Sequence, residues 1–181
     1  MGETPLLLLI DVQREYTTAG RPFHLQGIGP SLENCRRLLG HAREKSWPIA
    51  HVRHVQAGQL FNEDLPFSHF VEGFEPRAEE MVFTKSNLSC FTNDGFRRLM
   101  SAVDGEPVYV AGYNSLMCCL STLIQAFHEG QRLNYVADAS LARATAHADE
   151  QTAHLHATDI ISIYANVVKT NDVLQANQRA A

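Results

Sequence analysis

The chain has 181 residues, a formal net charge of −5 at pH 7 and a hydrophobic fraction of 45%. This length predicts one domain over residues 1–181, because two domains would each have too small a core. Scattered basic residues exclude a nucleic-acid surface and docking to an anionic membrane, which both need clustered lysine and arginine. The Leu6–Ile10 run is too short for a membrane span. Four cysteines without a C-x-x-C pair predict a reduced, cytoplasmic protein.

Apolar runs alternate with amphipathic stretches along the whole chain. The predicted strands are 6–10, 48–55, 81–84, 107–111, 133–137 and one within 160–168, and the predicted helices are 31–45, 92–100, 116–129, 146–158 and 171–178. Ser31 is the predicted N-cap of the first helix, and Gly130 is predicted to end the third. This alternation predicts an α/β fold in which helices cover both faces of a mostly parallel, six-stranded sheet.

The one long irregular stretch, residues 56–80, is rich in phenylalanine and proline. A loop of this length in a compact domain is typical of a lid or a binding loop. A packed Ω-loop fits the same composition equally well. The sequence leaves both interpretations open.

Three reactive residues follow predicted strands, where parallel α/β sheets bind their ligands. Asp11 follows the first strand, Lys85 the third, and Cys118 lies at the start of the helix after the fourth. A helix N-terminus and a nearby lysine would both lower the pKa of the Cys118 thiol and favour the thiolate. A carboxylate within reach would accept the thiol proton and later protonate a leaving amine. The set therefore predicts nucleophilic catalysis.

Each of these residues also has a structural interpretation when taken alone. An aspartate at a strand end often caps a turn, and a cysteine at a helix start often packs as a small core residue. A single lysine after a strand is usually a solvated charge. The pattern of residues alone leaves these alternatives open.

Six segments of the chain resemble the isochorismatase-like hydrolases, also called the cysteine hydrolase superfamily. The segments are LLLLIDVQREY, SWPIAHVRHV, VFTKSNLSCF, VYVAGYNSLMCCLSTLIQAFHEG, LNYVADASLARA and IYANVVKTNDVL, in this order. They correspond to the strand with D-x-Q and an aromatic, the strand ending in R-H, the K-x-x-x-S-x-F block, the nucleophile segment, the V-x-D-A segment and the final strand and helix. The resemblance covers nearly the whole chain.

The resemblance implies a Rossmann-like sheet of order 3-2-1-4-5-6 and a catalytic triad of Asp11, Lys85 and Cys118. It implies attack of the Cys118 thiolate on a carbonyl, an acyl-enzyme, and release of the product by water. It further implies a cis peptide bond between Tyr113 and Asn114. That bend would direct the backbone N–H groups of Asn114 and Cys118 into an oxyanion hole.

The chain departs from the family pattern at two positions of the nucleophile segment. Ser115 stands where the family usually has threonine, and Cys119 stands where it usually has valine. Two adjacent thiols raise the question of which is the nucleophile. Counted from Gly112, the family spacing selects Cys118, and Cys119 is then expected to pack as a small apolar residue.

Relatives that hydrolyse nicotinamide bind a zinc-type metal near a D-x-H pair after the second strand. This chain has His51-Val52-Arg53-His54 there, with no aspartate, and His51 and His54 point to opposite faces of a strand. We therefore predict no metal and no cofactor, with His54 bordering the pocket. The residues predicted to contact a small-molecule substrate are Gln13, Tyr16, His54, Phe61, Ser89, Tyr113 and Ser115.

The sequence thus predicts a metal-independent cysteine amidohydrolase that cleaves a C–N bond in a small amide, ureido or carbamoyl compound. Two alternatives remain open. One is an isochorismatase-type vinyl-ether hydrolase that uses Asp11 as the acid, and the other is a non-catalytic or redox-sensing relative. The resemblance also implies a homodimer or homotetramer.

Overall fold

The computed structural model describes residues 4–103 and 105–176. The strands are β1 (Leu6–Ile10), β2 (Ile49–His54), β3 (Met81–Lys85), β4 (Val108–Tyr113), β5 (Asn134–Leu141) and β6 (Asn166–Val168). The helices are α1 (Arg14–Thr17), α2 (Gly29–Glu44), α3 (Asp94–Ala102), α4 (Leu120–His128), α5 (Glu150–Tyr164) and α6 (Thr170–Ala176). The strands form one parallel sheet of order β3-β2-β1-β4-β5-β6, which confirms the predicted fold and strand order.

The central strand β1 is buried on both sides because it packs against two separate cores. Leu6, Leu8 and Ile10 face the core that is shared with α3, α4 and α5. Leu7 and Leu9 face the core that is shared with α1, α2 and α6. A continuous apolar run is what a parallel strand covered on both faces requires, and helices do cover both faces.

The start of α2 differs from the prediction. The helix begins at Gly29 with Pro30 in its first turn, so Ser31 is a helical residue and not the N-cap. The Ser31 hydroxyl donates to the backbone oxygen of Ile28 at 2.9 Å. Pro30 in the first turn favours the helical backbone, and the helix begins two residues before the predicted start.

Helix α5 lies later in the chain than predicted and occupies part of the segment assigned to the last strand. Asp149 caps it by accepting a hydrogen bond from the Thr152 N–H at 2.7 Å. Its buried residues Ala153, Ala157 and Ile161 recur every four positions, so Ile161 packs as one face of a helix. The last strand, β6, still lies inside the predicted range 160–168, at its end.

Other boundaries shift by smaller amounts. Strand β5 runs to Leu141, four residues beyond its predicted end, and the short helix α1 was not predicted. Gly130 follows α4 with φ +85°, the left-handed conformation expected of a helix-ending glycine. Residues 177–178 of the predicted last helix lie outside the described residues. Within the described ranges, no helix is long and apolar enough to cross a membrane.

The close approach of β1 and β4 depends on Gly112, near the end of β4. Its φ is +110°, and a Cβ atom there would lie 2.1 Å from the Ile10 backbone oxygen. Only glycine fits such a position. Strand order reverses between β1 and β4, so their carboxyl ends border the place where such sheets bind ligands.

Candidate active site

The three residues of the predicted triad lie together at the carboxyl ends of the strands, with His54 among them. Asp11 follows β1, His54 ends β2 and Lys85 ends β3. Cys118 lies in a π-helical turn that follows β4. The Lys85 Nζ atom lies 2.8 Å from Asp11 Oδ2 and 3.3 Å from both Cys118 Sγ and His54 Nδ1. These four residues are called the Asp11 cluster.

Lys85 is held as a cation inside this cluster. Burial alone would lower the pKa of Lys85, but the negative charge of Asp11 and its hydrogen bond to the ammonium raise that pKa. The side chains of Lys85 and Asp11 are both fully buried. Asp11 Oδ2 accepts from Lys85, whereas Asp11 Oδ1 is buried without a hydrogen-bond partner in the described structure. One carboxylate oxygen is therefore free to accept a proton.

The thiol of Cys118 does not have the lowered pKa that the sequence led us to expect. Burial and the charge of Asp11 raise the pKa of Cys118, and the opposing effect of Lys85 is smaller. The prediction considered the cation and the helix start but had no measure of burial. The resting site therefore holds a neutral thiol, with its sulfur within 4.8 Å of an Asp11 carboxylate oxygen.

The turn that carries Cys118 spans residues 114–119 and begins with a cis peptide bond between Tyr113 and Asn114, as the resemblance implied. The Asn114 side-chain oxygen accepts from the Leu116 N–H at 2.9 Å. Its backbone oxygen accepts from the N–H groups of residues 117 and 119. The N–H groups of residues 116, 117 and 119 thus donate to Asn114 within the turn. The two N–H groups predicted to form the oxyanion hole, those of Asn114 and Cys118, are different ones.

The neighbouring thiol, Cys119, points away from the cluster. Its sulfur lies 3.6 Å from the Gly112 backbone oxygen and 4.0 Å from the Ser140 hydroxyl, and the residue is fully buried. It packs in the same apolar core as α4 and α5. Of the two adjacent thiols, Cys118 is therefore the one that contacts Lys85.

A small cavity of about 220 Å³ opens beside Cys118. Its apolar walls include Tyr16, Phe23 and Phe61, whose ring centroids lie 5.2–6.0 Å apart. Its polar lining consists of His54, Gln56, Ser86 and Asn87. The cavity has the volume of about seven liquid water molecules, which suits a small ligand.

The loop 56–80 contributes to this cavity only through its first part. Gln56 and Phe61 line the cavity, while Phe74 is fully buried in the core beside α2. The first part of the loop thus forms a wall of the cavity, as a binding loop would, and a later part packs against the core, as an Ω-loop would. Ser86 and Asn87 were missed as lining residues, although their position directly after Lys85 at the end of β3 was the available signal.

Gln13 and Ser89, two of the residues predicted to contact substrate, lie outside the cavity lining. The Gln13 amide donates to the backbone oxygens of His54 and Ser68 and accepts from the His54 N–H, so its polar atoms are fully used. The Ser89 hydroxyl donates to Gln125 at 2.6 Å and accepts from the Phe91 N–H. Both side chains connect segments of the fold.

Tyr113 and Ser115 also face away from the cavity. The Tyr113 hydroxyl shares a hydrogen bond of 2.9 Å with Ser31 of α2. The Ser115 hydroxyl lies 3.0 Å from Nδ1 of His154 on α5. These contacts hold the turn of Cys118 against helices on both faces of the sheet. Of the predicted substrate-binding residues, Tyr16, His54 and Phe61 line the cavity.

The Asp11 cluster also has the composition of a metal site. Within residues 4–103 and 105–176, one group of metal-type ligands converges, formed by Asp11, His54 and Cys118, with ligand atoms within 4.8 Å of one another. The Lys85 ammonium makes hydrogen bonds to all three of these residues. An internal cation thus already occupies the position among the donors, and the residues do not fit an additional metal ion.

Comparisons with known proteins identify the family of this chain. Residues 5–172 match the family model described as the isochorismatase domain. The chain is 28% identical to a maleamate amidohydrolase of Pseudomonas putida, over 96% of this chain and 87% of the relative.

Solved structures show the same likeness. An isochorismatase from Pseudomonas putida superposes with a TM-score of 0.81 at 29% identity, covering 93% of this chain and 89% of that one. A cysteine hydrolase from Pseudomonas syringae has the same fold, with a TM-score of 0.84 at 17% identity over 98% of this chain and 94% of that one. The family model spans most of the sequence, and the chain therefore belongs to the isochorismatase family and is a hydrolase.

Proposed function

We propose that the protein is a cysteine amidohydrolase that cleaves a C–N bond in a small amide, ureido or carbamoyl compound. The observation that carries this proposal is the contact of one buried lysine with both Asp11 and Cys118 beside a small cavity. The unpartnered Asp11 oxygen next to a thiol supports an acid–base role for that carboxylate. The name of the Pseudomonas putida relative supports amide chemistry.

In the first half of the reaction, Asp11 accepts the proton of the Cys118 thiol as the sulfur attacks the carbonyl carbon of the substrate. This step suits a neutral resting thiol, because the proton leaves only when the new C–S bond forms. Backbone N–H groups of Asn114 and Cys118 stabilise the oxyanion. Protonated Asp11 then gives its proton to the leaving nitrogen, and the C–N bond breaks to leave a thioester.

In the second half, a water molecule attacks the thioester carbonyl while Asp11 accepts a proton from it. The C–S bond breaks, the proton returns to the Cys118 sulfur, and the acid product leaves the cavity. Lys85 stays protonated throughout, since its pKa is raised by the negative groups around it. Its charge stabilises the developing negative charge on the sulfur.

The surroundings of the cavity support a small substrate that carries a carboxylate as well as the reacting group. The guanidinium of the exposed Arg143 lies 4.6 Å from the ring centroid of Phe23, which forms part of the cavity wall. A guanidinium in this position can bind a carboxylate with two hydrogen bonds. Maleamate, which names the relative, carries both an amide and a carboxylate.

Two further properties belong to the proposal. All four cysteines are buried and free, which supports a reducing compartment such as the cytoplasm. The homodimer or homotetramer stays a prediction, and the exposed apolar residues Leu155 and Ile163 on α5 are its candidate contact residues.

The proposal is tested by replacing each adjacent thiol in turn. We expect Cys118→Ala to lower turnover of a small primary amide by about 10⁴-fold or more. Cys119→Ala, the matched control, should stay within about threefold, because a residue packed outside the cavity removes no reacting group. Ammonia release gives the rate, and mass spectrometry of the quenched reaction should detect a thioester on Cys118. Unchanged turnover in Cys118→Ala would favour the acid-catalysed alternative through Asp11.

A further inference from the structure

His54 occupies a position in the Asp11 cluster that the proposed chemistry does not explain. It ends β2, the strand between β1 and β3, so its ring lies between the strands that carry Asp11 and Lys85. In the sheet register, His54 is directly paired with Lys85. The ring also lines the cavity, although the residue is only 8% exposed.

The hydrogen bonds of Lys85 define the protonation state of His54. An ammonium group has three N–H donors and no acceptor. The Lys85 ammonium meets three partners, namely Asp11 Oδ2, Cys118 Sγ and His54 Nδ1. Each partner must offer a lone pair, so His54 is neutral with an unprotonated Nδ1. Its proton is then on Nε2, which donates to Gln56 Oε1 at 3.0 Å.

The position of the His54 ring is fixed by several contacts. The Gln13 side chain binds both the N–H and the backbone oxygen of His54, at 2.8 and 2.9 Å. The Phe61 ring meets the imidazole edge to face, with centroids 5.2 Å apart. The same Gln13 amide donates to the Ser68 backbone oxygen of the loop 56–80. The Nδ1 atom that His54 presents to Lys85 is therefore held in place by the Gln13 contacts to the His54 backbone and by the Phe61 ring at the cavity wall.

We propose that His54 is a positioning residue whose neutral Nδ1 accepts the third N–H of Lys85 and keeps the ammonium between Asp11 and Cys118. Without this acceptor, the ammonium moves toward Asp11, its stronger partner, and away from the sulfur. This inference rests on the proposed function. The titratable groups that face the His54 ring are Asp11 from β1, Lys85 from β3 and Cys118 from its turn, with Tyr16 of α1 in the same cavity wall.

The test uses the unliganded enzyme, so that it does not depend on knowing the substrate. The rate of Cys118 alkylation by iodoacetamide is measured against pH for the wild type, His54→Leu, His54→Asn and His54→Gln. We expect His54→Leu to slow alkylation near pH 8 by about tenfold or more, since the Lys85 charge that favours the thiolate moves away. The Asn oxygen can take the place of Nδ1, so His54→Asn should stay within about threefold.

The comparison of Asn and Gln keeps the test decisive if His54→Leu does not fold. A Gln amide reaches the position of Nε2 and not that of Nδ1, so His54→Gln is expected to behave like His54→Leu. The matched control is His51→Leu, on the same strand and also buried, whose ring binds Glu80 at 2.8 Å instead. Its alkylation profile should be that of the wild type.

Lys85→Met separates failure of this inference from failure of the proposed function. If Lys85→Met slows alkylation but all His54 variants match the wild type, His54 does not position the lysine and the inference is overturned. If Lys85→Met has no effect and all four cysteines react equally, the proposed function fails. With substrate, we expect His54→Leu and His54→Gln to lower kcat, His54→Asn to keep it within about threefold, and all three to leave KM within about threefold. A rise in KM alone would make His54 a substrate contact and overturn the inference.

Discussion

The protein contains two buried charge clusters that look alike in composition but differ in what they can do. The Asp11 cluster joins Asp11, Lys85, His54 and Cys118. The second, here called the Glu80 cluster, joins Glu80, Arg43 and His51, with contacts of 2.7–2.9 Å. Each combines a carboxylate, a cation and a histidine from β2.

The difference lies in how completely the carboxylates are bonded. Both oxygens of Glu80 accept hydrogen bonds, from Arg43, His51 and the Arg77 N–H, whereas Asp11 keeps one oxygen without a partner. The groove beside Arg43 and Glu80 is larger than the cavity beside Cys118, about 410 against 220 Å³. Volume therefore does not distinguish the proposed active site. What distinguishes it is an unsatisfied carboxylate oxygen next to a thiol.

The difference between the two clusters is tested most directly by removing one carboxylate at a time. We expect Asp11→Asn to lower kcat by about 10³-fold or more, because the amide cannot accept the thiol proton. Asparagine tolerates the left-handed backbone of Asp11, φ +51°, so the fold should persist. Glu80→Gln is the matched control and should change kcat by less than about twofold. Equal losses in steady-state assays of the two variants would refute the distinction.

The Glu80 cluster should instead control stability in acid. Burial alone would raise the pKa of Glu80, but hydrogen bonds from Arg43, the Arg77 N–H and His51 lower it to about 2. A lowered folded-state pKa adds stability that is complete above the ordinary value of 4.5 and is lost as the pH falls toward 2. Urea unfolding should show Glu80→Gln less stable by about 3 kcal/mol near pH 6.

This stability difference should shrink as the pH falls, and near pH 2 it should almost vanish. Comparing the variant with the wild type at each pH removes the effect of other titrating groups common to both. A difference that stays constant between about pH 6 and about pH 2.5 would mean that the ionised Glu80 is not the source of the stability.

The smallest effect is expected at the mouth of the reactive cavity. Arg143→Ala should raise KM for a carboxylate-bearing amide about tenfold with little change in kcat, because it removes binding and not chemistry. Arg36→Ala is the matched control, since Arg36 also stacks on a phenylalanine, Phe74, which does not line this cavity. A neutral amide of the same size should show no difference between the two variants. Equal KM values for the carboxylate-bearing substrate would remove Arg143 from the proposed site.

The sequence was sufficient for the features that repeat along the chain. The apolar run of β1 predicted a strand covered on both faces. The strand-end positions of Asp11, Lys85 and Cys118 predicted that they lie close together, as they do, but the catalytic triad itself was implied by the family resemblance. The order of the strands came from the family resemblance, since periodicity alone does not fix which strands are neighbours.

Features that depend on tertiary contacts could not be predicted in this way. The pKa of Cys118 is set by burial, which no local pattern reports. Gln13 lies only two residues after Asp11, yet its amide is used by His54 and Ser68. The direction of a side chain after a strand depends on the backbone turn, and only the assembled sheet shows it.

Gly112 has a practical consequence for anyone who wishes to redesign this hydrolase. Because a methyl group there would collide with the backbone of β1, the segment leading to Cys118 is locked to the sheet. Directed evolution toward new substrates should therefore leave residues 112–119 untouched. Libraries are better placed at Ser86 and Asn87, which are exposed residues of the cavity lining in the loop after β3.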